Sequence, residues 1–177
     1  GTVQDAQDML YTALHDPNPV LFFEHKKLYR SIREDVPERC EVTRLDKAAI
    51  RREGNHISLI TYGYGLQWAE NLASTLASEG VETEIIDLRS LAPIDWETLT
   101  SSLKKTHRAL LLQEPSEILG PMSEISSGLM ERCFEFLDAP VMRCSSLNMP
   151  IPFNRNLERG YLADARLEET ARKLLAY

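Results

Sequence analysis

From residue 48 onward, the apolar positions follow two patterns in turn, one typical of strands and one typical of helices. Short apolar runs of strand length are each followed by a stretch whose apolar residues recur at helical spacing. The predicted strands are 48–53, 56–63, 81–88, 109–114 and 140–146, and the predicted helices are 66–80, 94–106, 123–137 and 164–177. Because strands separated by helices require crossover connections, the pattern predicts an α/β fold with a mostly parallel sheet.

The N-terminal part of the chain has a different pattern. Residues 3–16 place apolar side chains at helical spacing, and Pro17 and Pro19 end that helix. The run "VLFFE" at 20–24 is then continuously apolar and predicts a parallel strand buried on both faces. Residues 30–47 are highly charged with little periodicity, which is typical of a linker.

These patterns divide the chain into three parts. We expect residues 1–33 to be the tail end of one domain, residues 34–47 to be a linker and residues 48–177 to be a second domain. The helix and strand of the first part have no preceding strands to pair with, and the chain starts with Gly-Thr rather than Met. Both observations predict a fragment or a processed chain.

Composition narrows the classes of function. The net charge of −7 argues against nucleic acid or an anionic membrane surface as the main partner, since both attract basic proteins. The chain has three cysteines, an odd number with no C-x-x-C spacing, which predicts neither a disulfide framework nor a zinc site. No apolar run is long enough to span a bilayer, and no secretory signal is visible.

Candidate chemistry is sparse. His25 follows Glu24 at the end of a predicted strand, but neighbouring strand residues point to opposite faces, so a structural or interface role is favoured over a catalytic pair. The turn "YGYG" at 62–65 lacks a complete phosphate-binding motif and is best interpreted as a tight strand-to-helix turn. His15, His56 and His107 are isolated, and structural roles are favoured for them too. No catalytic or cofactor-binding residue is predicted.

Several stretches resemble one known family. They are "DPNPVLFFEHKKLYR", "LITYG", "VETEIIDLRSLAPIDWETLTSSLKKTHRALLLQE", "FEFLDAPVMRC" and "NMPIPF". Together they are similar to the C-terminal half of the beta subunit of 2-oxoacid dehydrogenases, the thiamine-diphosphate-dependent decarboxylating component of the pyruvate and branched-chain complexes. The resemblance runs from about residue 3 to residue 177, and the family is transketolase-like.

The resemblance implies a fold for this chain, and it implies that the catalytic and cofactor-binding residues lie outside it. Residues 1–33 would be a helix–strand remnant of the pyrimidine-binding domain, and residues 48–177 would be a three-layer transketolase C-terminal-like domain used for assembly. In the family, the activating glutamate and the catalytic histidine lie upstream, and the diphosphate and magnesium site lies in the alpha subunit or an alpha-like half. Thiamine diphosphate and magnesium are therefore expected in the parent enzyme but not on this chain.

The resemblance also implies an ion site and partners. Backbone carbonyls at Ala13, Asp16 and Asn18 match a structural potassium site, although the same residues equally suit a simple helix end. Glu135, Asp138 and the terminal carboxylate of Tyr177 match an acidic surface that binds the dihydrolipoyl acyltransferase core. An alpha subunit and a second beta subunit are the other implied partners. Location would be cytoplasmic in a bacterium and the mitochondrial matrix in a eukaryote.

The chain departs from the family in the loop after the fourth predicted strand. Gln113 stands where the family has His, and the double Gly that usually follows is lost. "FFEHKKLYR" favours a branched-chain over a pyruvate enzyme.

Two other functions are alternatives to a 2-oxoacid dehydrogenase subunit. One is the C-terminal domain of transketolase or of deoxyxylulose-phosphate synthase, and the other is a non-enzymatic α/β domain that binds a small ligand.

Overall fold

A computed structural model describes residues 1–177. The helices are α1 (Val3–His15), α2 (Leu28–Ser31), α3 (Gly65–Ala77), α4 (Trp96–Thr106), α5 (Pro121–Cys133), α6 (Arg155–Tyr161) and α7 (Asp164–Leu175), with a 3₁₀ turn at Phe134–Phe136. The strands are β1 (Ala49–Arg52), β2 (Ile57–Thr61), β3 (Thr83–Asp87), β4 (Ala109–Ser116) and β5 (Met142–Ser146).

The strands form one sheet in the order β1-β3-β2-β4-β5. Strands β3, β2, β4 and β5 are parallel, and β1 is antiparallel to β3 at one edge. Strands β2 and β3 are buried at every position, as expected for central strands covered on both faces. The predicted α/β class and mostly parallel sheet are confirmed.

Two hydrophobic cores lie on opposite faces of the sheet. One contains the apolar stripes of α3 and α7, including Leu66, Leu72 and Leu174, together with Ile57 and Leu59 of β2. The other contains the apolar sides of α4 and α5; its buried members include Leu99, Leu103, Ile125 and Leu129, together with Ile60 and Ile86 from the sheet. The domain is therefore a three-layer sandwich, with helices on both faces of the sheet.

The segment "VLFFE" is not a strand. Residues 20–24 make no backbone pairing, and the Leu21 and Phe23 side chains are 84% and 88% exposed. The sequence prediction of a buried strand is wrong for this chain, because an apolar run becomes a buried strand only where a neighbouring strand supplies hydrogen-bond partners. The helix predicted before it does form, as α1.

Two smaller differences concern the helices. Helix α6 was not predicted, because residues 147–156 have a Pro- and Asn-rich loop composition; Asn154 caps the helix by accepting a hydrogen bond from the backbone of Asn156 at 2.9 Å. Helix α5 begins at Pro121, slightly earlier than predicted, and proline is favoured in the first helical turn.

Asp95 caps α4, as the sequence predicts, and it does so from a buried position. Its carboxylate accepts hydrogen bonds from the Thr98 backbone at 3.2 Å, the Thr98 hydroxyl at 2.6 Å and the Ala48 backbone at 3.1 Å, and Lys47 lies 3.3 Å away. Burial raises the pKa of Asp95, but these hydrogen bonds outweigh it and the net effect is a lowered pKa.

We expect Asp95→Ala to reduce the free energy of unfolding by about 2 kcal/mol at pH 7, because a helix cap and a second backbone contact are lost together. Since the folded pKa of Asp95 is lowered, its stabilisation is present above about pH 4 and is lost as pH falls through the folded value. Urea unfolding at pH 7 and at low pH is the measurement. Asp95→Asn, which keeps the capping oxygen, is the control and should lose less. An equal loss for Asp95→Ala at both pH values would contradict the assignment.

Candidate functional site

The carboxyl edge of the sheet is where ligands usually bind in parallel α/β domains, because the loops that leave the strands meet there. After β2 the chain makes the turn Tyr62-Gly63-Tyr64 and enters α3. Gly63 has a φ of +56°, a conformation that glycine adopts at little cost, and Gly65 packs so closely that an added Cβ would lie 2.2 Å from the Thr61 hydroxyl. The two glycines therefore serve a tight turn, which agrees with the structural interpretation of "YGYG".

His25 reaches this edge from the N-terminal part of the chain. Its Nε2 lies 2.6 Å from Oε2 of Glu114 on β4, and its ring stacks on Tyr64 with centroids 5.2 Å apart and planes inclined by 14°. The Lys27 ammonium lies 4.2 Å from the centroid of the same Tyr64 ring. The sequence favours a structural or interface role for His25, but nothing in it indicates that the partner is Glu114, which is 89 positions away.

Glu114 also affects its other neighbour at this edge. Burial, followed by the nearby Glu114 carboxylate, raises the pKa of Tyr62 to about 12. Tyr62 therefore keeps its hydroxyl proton throughout the physiological range. The edge combines a carboxylate, an imidazole, an ammonium and two phenol rings: the imidazole of His25 contacts both the Glu114 carboxylate and the Tyr64 ring, and the Lys27 ammonium lies over that same ring.

Gln113, which replaces the family's His, has a structural role. Its Nε2 donates to the Ser116 carbonyl at 2.7 Å, and its Oε1 accepts from the Met122 backbone at 3.0 Å. An alanine Cβ at Gly120 would lie 2.0 Å from Gln113 Nε2. The side chain thus holds the loop between β4 and α5 and satisfies one of the free backbone N–H groups at the start of α5.

A second polar cluster fastens α1 to the antiparallel edge of the sheet. Asp5 of α1 forms ion pairs with Arg51 of β1 and with Arg89, which follows β3. The buried Asp87 accepts from Arg51 at 3.2 Å and from the Arg89 backbone at 3.2 Å. The Arg89 guanidinium also donates to Thr43 at 2.7 Å. These ion pairs position α1, which contributes no fully buried residue to either hydrophobic core.

The predicted linker lies along α1. The Glu34 carboxylate accepts from the Val3 backbone at 3.0 Å, the Asp8 carboxylate accepts from the Glu41 backbone at 3.0 Å, and the Thr12 hydroxyl accepts from the Thr43 backbone at 3.0 Å. Residues 32–48 contain no helix or strand. The linker and α1 are therefore joined by polar contacts.

The residues proposed for potassium form a local turn. Asp16 donates its backbone N–H to the Ala13 carbonyl at 3.4 Å, and its carboxylate accepts from the backbone of Asn18 at 2.8 Å and from the Asn18 amide at 3.1 Å. The Ala13 carbonyl is thus taken by the Asp16 N–H, whereas the carbonyl oxygens of Asp16 and Asn18 accept no protein hydrogen bond. No group of three or more His, Cys, Asp or Glu side chains is arranged to hold a metal ion.

The predicted acidic surface residues lie at the opposite, amino edge of the sheet. Glu135 is exposed on the 3₁₀ turn, Asp138 precedes β5 with 57% of its side chain exposed, and Tyr177 is 61% exposed. Asp138 has one weak ion pair, 3.8 Å from Arg108. The ion pair between Arg172 of α7 and Glu79, at 2.6 Å, shows that the end of α7 lies at this edge, since Glu79 comes shortly before the start of β3. The three residues therefore share an edge, far from His25 in the topology.

The remaining candidate side chains bond to backbone. Nδ1 of His15, His56 and His107 contacts, respectively, the Tyr11 carbonyl at 2.8 Å, the Glu82 N–H at 2.9 Å and the Phe136 carbonyl at 2.7 Å. Such backbone contacts agree with the structural roles predicted for these histidines. All three cysteines are free, and burial raises the pKa of the Cys133 thiol and that of the Cys144 thiol, the latter to about 11. No helix combines the length and apolar character needed to cross a membrane.

The architecture defines a three-layer α/β domain with a mostly parallel sheet, and the chain's own N-terminal segment reaches the carboxyl edge of that sheet. Residues 46–166 match the family described as "Transketolase, C-terminal domain", and the chain belongs to that family. The resemblance read from the sequence is therefore confirmed.

Curated relatives match along the whole chain. It is 37% identical to the pyruvate dehydrogenase E1 component subunit beta of Bacillus subtilis (strain 168) over 178 residues, which is 100% of this chain and 54% of the relative. It is 35% identical to the 2-oxoisovalerate dehydrogenase subunit beta of the same organism over 177 residues, which is 99% of this chain and 54% of the relative. The chain thus spans about half the length of the curated relatives it matches.

Solved structures share the fold. A structure described as "Split gene transketolase, inactive beta4 tetramer" has a TM-score of 0.65 and 25% identity, covering 80% of this chain and 46% of that chain. A transketolase from Pichia stipitis, at 13% identity and a TM-score of 0.50, covers 73% of this chain and 18% of that chain, and it supports the fold alone.

Proposed function

We propose that this chain is the C-terminal, assembly part of the beta subunit of a thiamine-diphosphate-dependent 2-oxoacid dehydrogenase. The observation that carries the proposal is the match, over 99–100% of the chain, to two beta subunits of such enzymes. In the parent enzyme the reaction is oxidative decarboxylation of a 2-oxoacid with transfer of the acyl group to lipoyl groups. We propose no catalytic residue on this chain.

Within that proposal, the substrate is a branched-chain 2-oxoacid rather than pyruvate. The support is the stretch "FFEHKKLYR"; identities of 37% and 35% to the two kinds of beta subunit do not separate them. Decarboxylation of pyruvate and of 2-oxoisovalerate by the parent enzyme, followed with an artificial electron acceptor, tests the proposal. Activity with neither acid would overturn the function, whereas preference for pyruvate would overturn only the substrate.

The proposed cofactors belong to the parent enzyme. Thiamine diphosphate supplies the carbanion chemistry when bound, and magnesium holds its diphosphate. The isolated chain is expected to bind neither, because in the family those ligands come from outside the stretch it matches. Calorimetric titration of the chain with thiamine diphosphate and magnesium is the test, and micromolar binding by the chain would contradict the expectation that both bind elsewhere in the parent enzyme.

The carbonyl oxygens of Ala13, Asp16 and Asn18 are proposed to hold a structural potassium ion.

The proposed partners are an alpha subunit or alpha-like half, a second beta subunit and the dihydrolipoyl acyltransferase core. The amino edge that carries Glu135, Asp138 and Tyr177 is the proposed docking surface for a basic part of that core. Asp138 supports this role because its carboxylate is exposed and has only a weak internal pair at 3.8 Å, so it remains available to an incoming Arg. The proposed location is the cytoplasm in a bacterium or the mitochondrial matrix in a eukaryote.

We expect Asp138→Ala in the parent enzyme to weaken binding to the acyltransferase core by roughly three- to tenfold and to reduce its salt sensitivity, because one exposed charge pair is lost. Decarboxylation without the core should be unchanged. Binding is measured by calorimetry at low and moderate salt. Glu70→Ala is the matched control, since Glu70 is an exposed carboxylate on α3. Equal affinity for the Asp138 variant and the parent would place the docking surface elsewhere.

A further inference from the structure

The middle of the carboxyl edge contains a crevice between β2 and β4, which are neighbours in the sheet. After β2 the chain turns to α3 on one face of the sheet, whereas after β4 it turns to α5 on the other face, so the two loops diverge. A place where the loops of adjacent parallel strands diverge is a topological switch point, and open α/β sheets bind their ligands there. We call this place the switch-point crevice; its walls are Tyr64, after β2, and Glu114, on β4.

The switch-point crevice is occupied by a side chain of the same molecule. His25 lies between the two walls: its Nε2 is 2.6 Å from Oε2 of Glu114, and its ring stacks on the Tyr64 ring with centroids 5.2 Å apart. Because an ionised carboxylate only accepts hydrogen bonds, the His25 Nε2 carries the proton in this contact. The crevice therefore contacts the imidazole in two ways, through a nitrogen and through the face of the ring.

Both walls are held in place by the α/β domain itself. Glu114 belongs to β4, and the Tyr64 ring meets Trp68 edge to face with centroids 5.3 Å apart. Trp68 is 7% exposed within the hydrophobic core of α3 and α7. Gly63, with a φ of +56°, shapes the turn that places Tyr64. Since none of these contacts involves residues 1–33, the domain builds the crevice without help from its occupant.

The chemistry of the walls selects the kind of group that fits. Glu114 accepts a hydrogen bond from His25 and makes no other hydrogen bond or ion pair. A carboxylate favours a group that donates a hydrogen bond and can carry positive charge, and an aromatic wall favours a flat ring. An imidazole has all three properties, whereas a phosphate or another anion would be repelled by Glu114.

We propose that the switch-point crevice is an imidazole-binding site, and that its ligand is His25 of the same chain. The position that a free ligand takes in other open α/β sheets is then filled from within, which argues against a small diffusible ligand at the "YGYG" turn. The inference does not depend on the proposed function, since every group in it lies on this chain.

The site gives the N-terminal part of the chain a second attachment to the domain. Asp5 fixes α1 at the antiparallel edge of the sheet through Arg51 and Arg89, and His25 fixes the segment after α1 at the middle of the carboxyl edge. One attachment point leaves a segment free to rotate, whereas two separate points fix its orientation. The crevice is therefore a positioning site within the chain.

Replacing the natural ligand by free imidazole tests the proposal, with Trp68 as the reporter. The chain has two tryptophans: Trp68 touches Tyr64, whereas Trp96 packs against the other hydrophobic core. In a proton–nitrogen correlation spectrum at about pH 7, we expect His25→Ala to shift the indole N–H signal of Trp68 and to leave that of Trp96 in place. Free imidazole should return the Trp68 signal toward its parental position with a millimolar dissociation constant, because so small a ligand makes few contacts.

Matched variants separate the crevice from nonspecific binding. His25→Ala combined with Glu114→Ala should bind imidazole at least roughly tenfold more weakly than His25→Ala alone, since the hydrogen bond to a charged group is lost. His25→Ala combined with Glu124→Ala is the control and should bind as His25→Ala does, because Glu124 is an exposed carboxylate on α5. The parental chain should not respond to imidazole, because its crevice is filled.

Three results would overturn the proposal: an unshifted Trp68 signal in His25→Ala, an equal response to imidazole in the parental chain, or equal affinity after Glu114→Ala. The circular dichroism of His25→Ala should match that of the parental chain, since His25 belongs to neither hydrophobic core. A His25→Ala chain that does not fold would also overturn the proposal, because the domain would then not build the crevice by itself.

Discussion

Gly54→Ala is expected to destabilise the domain by roughly 3 kcal/mol or to prevent folding, because it places a methyl group against backbone that cannot move. An added Cβ at Gly54 would lie 2.3 Å from the Glu84 nitrogen, 2.4 Å from the Thr83 carbonyl carbon and 2.7 Å from the Glu82 carbonyl oxygen. These atoms lie at the start of β3, in the middle of the sheet. The loss would be steric, since Gly54 does not occupy the left-handed region.

The close approach has a topological cause. Strands β1 and β2 are consecutive in the sequence but flank β3 in the sheet, so residues 53–56 must pass over the amino end of β3. Only a residue without a side chain fits between that crossing loop and the strand beneath it. The loss of stability in the Gly54→Ala variant is therefore a test of this strand order.

Chemical denaturation of Gly54→Ala and of a matched glycine variant checks this prediction. Gly160→Ala is the control, because Gly160 lies in α6 with no atom within 4 Å of an added Cβ. Alanine in a helix is favoured over glycine by up to about 1 kcal/mol, so Gly160→Ala should be neutral or stabilising. A stable Gly54→Ala protein would mean that residues 53–56 do not cross β3 as described.

The second large effect is expected at the ion pair between Lys105 and Glu84. Glu84 lies on β3 with a fully buried side chain, and its Oε1 has no hydrogen-bond partner. Lys105, near the end of α4, pairs with Glu84 and also lies 2.8 Å from Glu53. Hydrogen bonds to Glu53 and then to Glu84 raise the pKa of Lys105, which keeps it charged.

We expect Lys105→Met to lower the free energy of unfolding by roughly 3 kcal/mol, because Glu84 would remain buried without its counter-charge. Adding Glu84→Leu to Lys105→Met should recover most of that loss, since a buried ion pair can often be replaced by apolar residues of similar volume. Urea denaturation of the two single variants and the double variant forms the thermodynamic cycle. Glu53→Gln is the control and should have a small effect, because Glu53 is 75% exposed.

A double variant as unstable as Lys105→Met alone would contradict this account. It would mean that the loss comes from the packing of the Lys105 side chain and not from the unpaired carboxylate. Loss of activity in the parent enzyme without loss of stability in Lys105→Met would also be unexpected, since the pair lies at the amino edge, away from the loops that leave the strands.

Local sequence determined most of the elements. The helical and strand periods predicted β1 to β5 and helices α1, α3, α4, α5 and α7, and Asp95 was identified as the cap of α4. These features depend on residues within a few positions of one another, so their signals are present in the chain itself. The motifs between residues 3 and 177 also led to the family that the match over 46–166 confirms.

The candidate site was predictable only in part. His25 and the "YGYG" turn were both singled out, but nothing in the sequence indicated that His25 would stack on Tyr64 and pair with Glu114. The ion pairs that Asp5 makes with Arg51 and Arg89 were equally hidden, since the three residues lie on different elements. Such contacts depend on the strand order, which brings distant residues to one edge.

By itself, the sequence determined the type and succession of the secondary structures, because side-chain period and capping act within single elements. Only the tertiary structure decided that β3 lies between β1 and β2, that "VLFFE" stays unpaired, and that His25 meets Glu114. The reason is the same in each case: strand hydrogen bonds and buried charges are satisfied by partners far along the chain, and which partner is near is a property of the packed sheet.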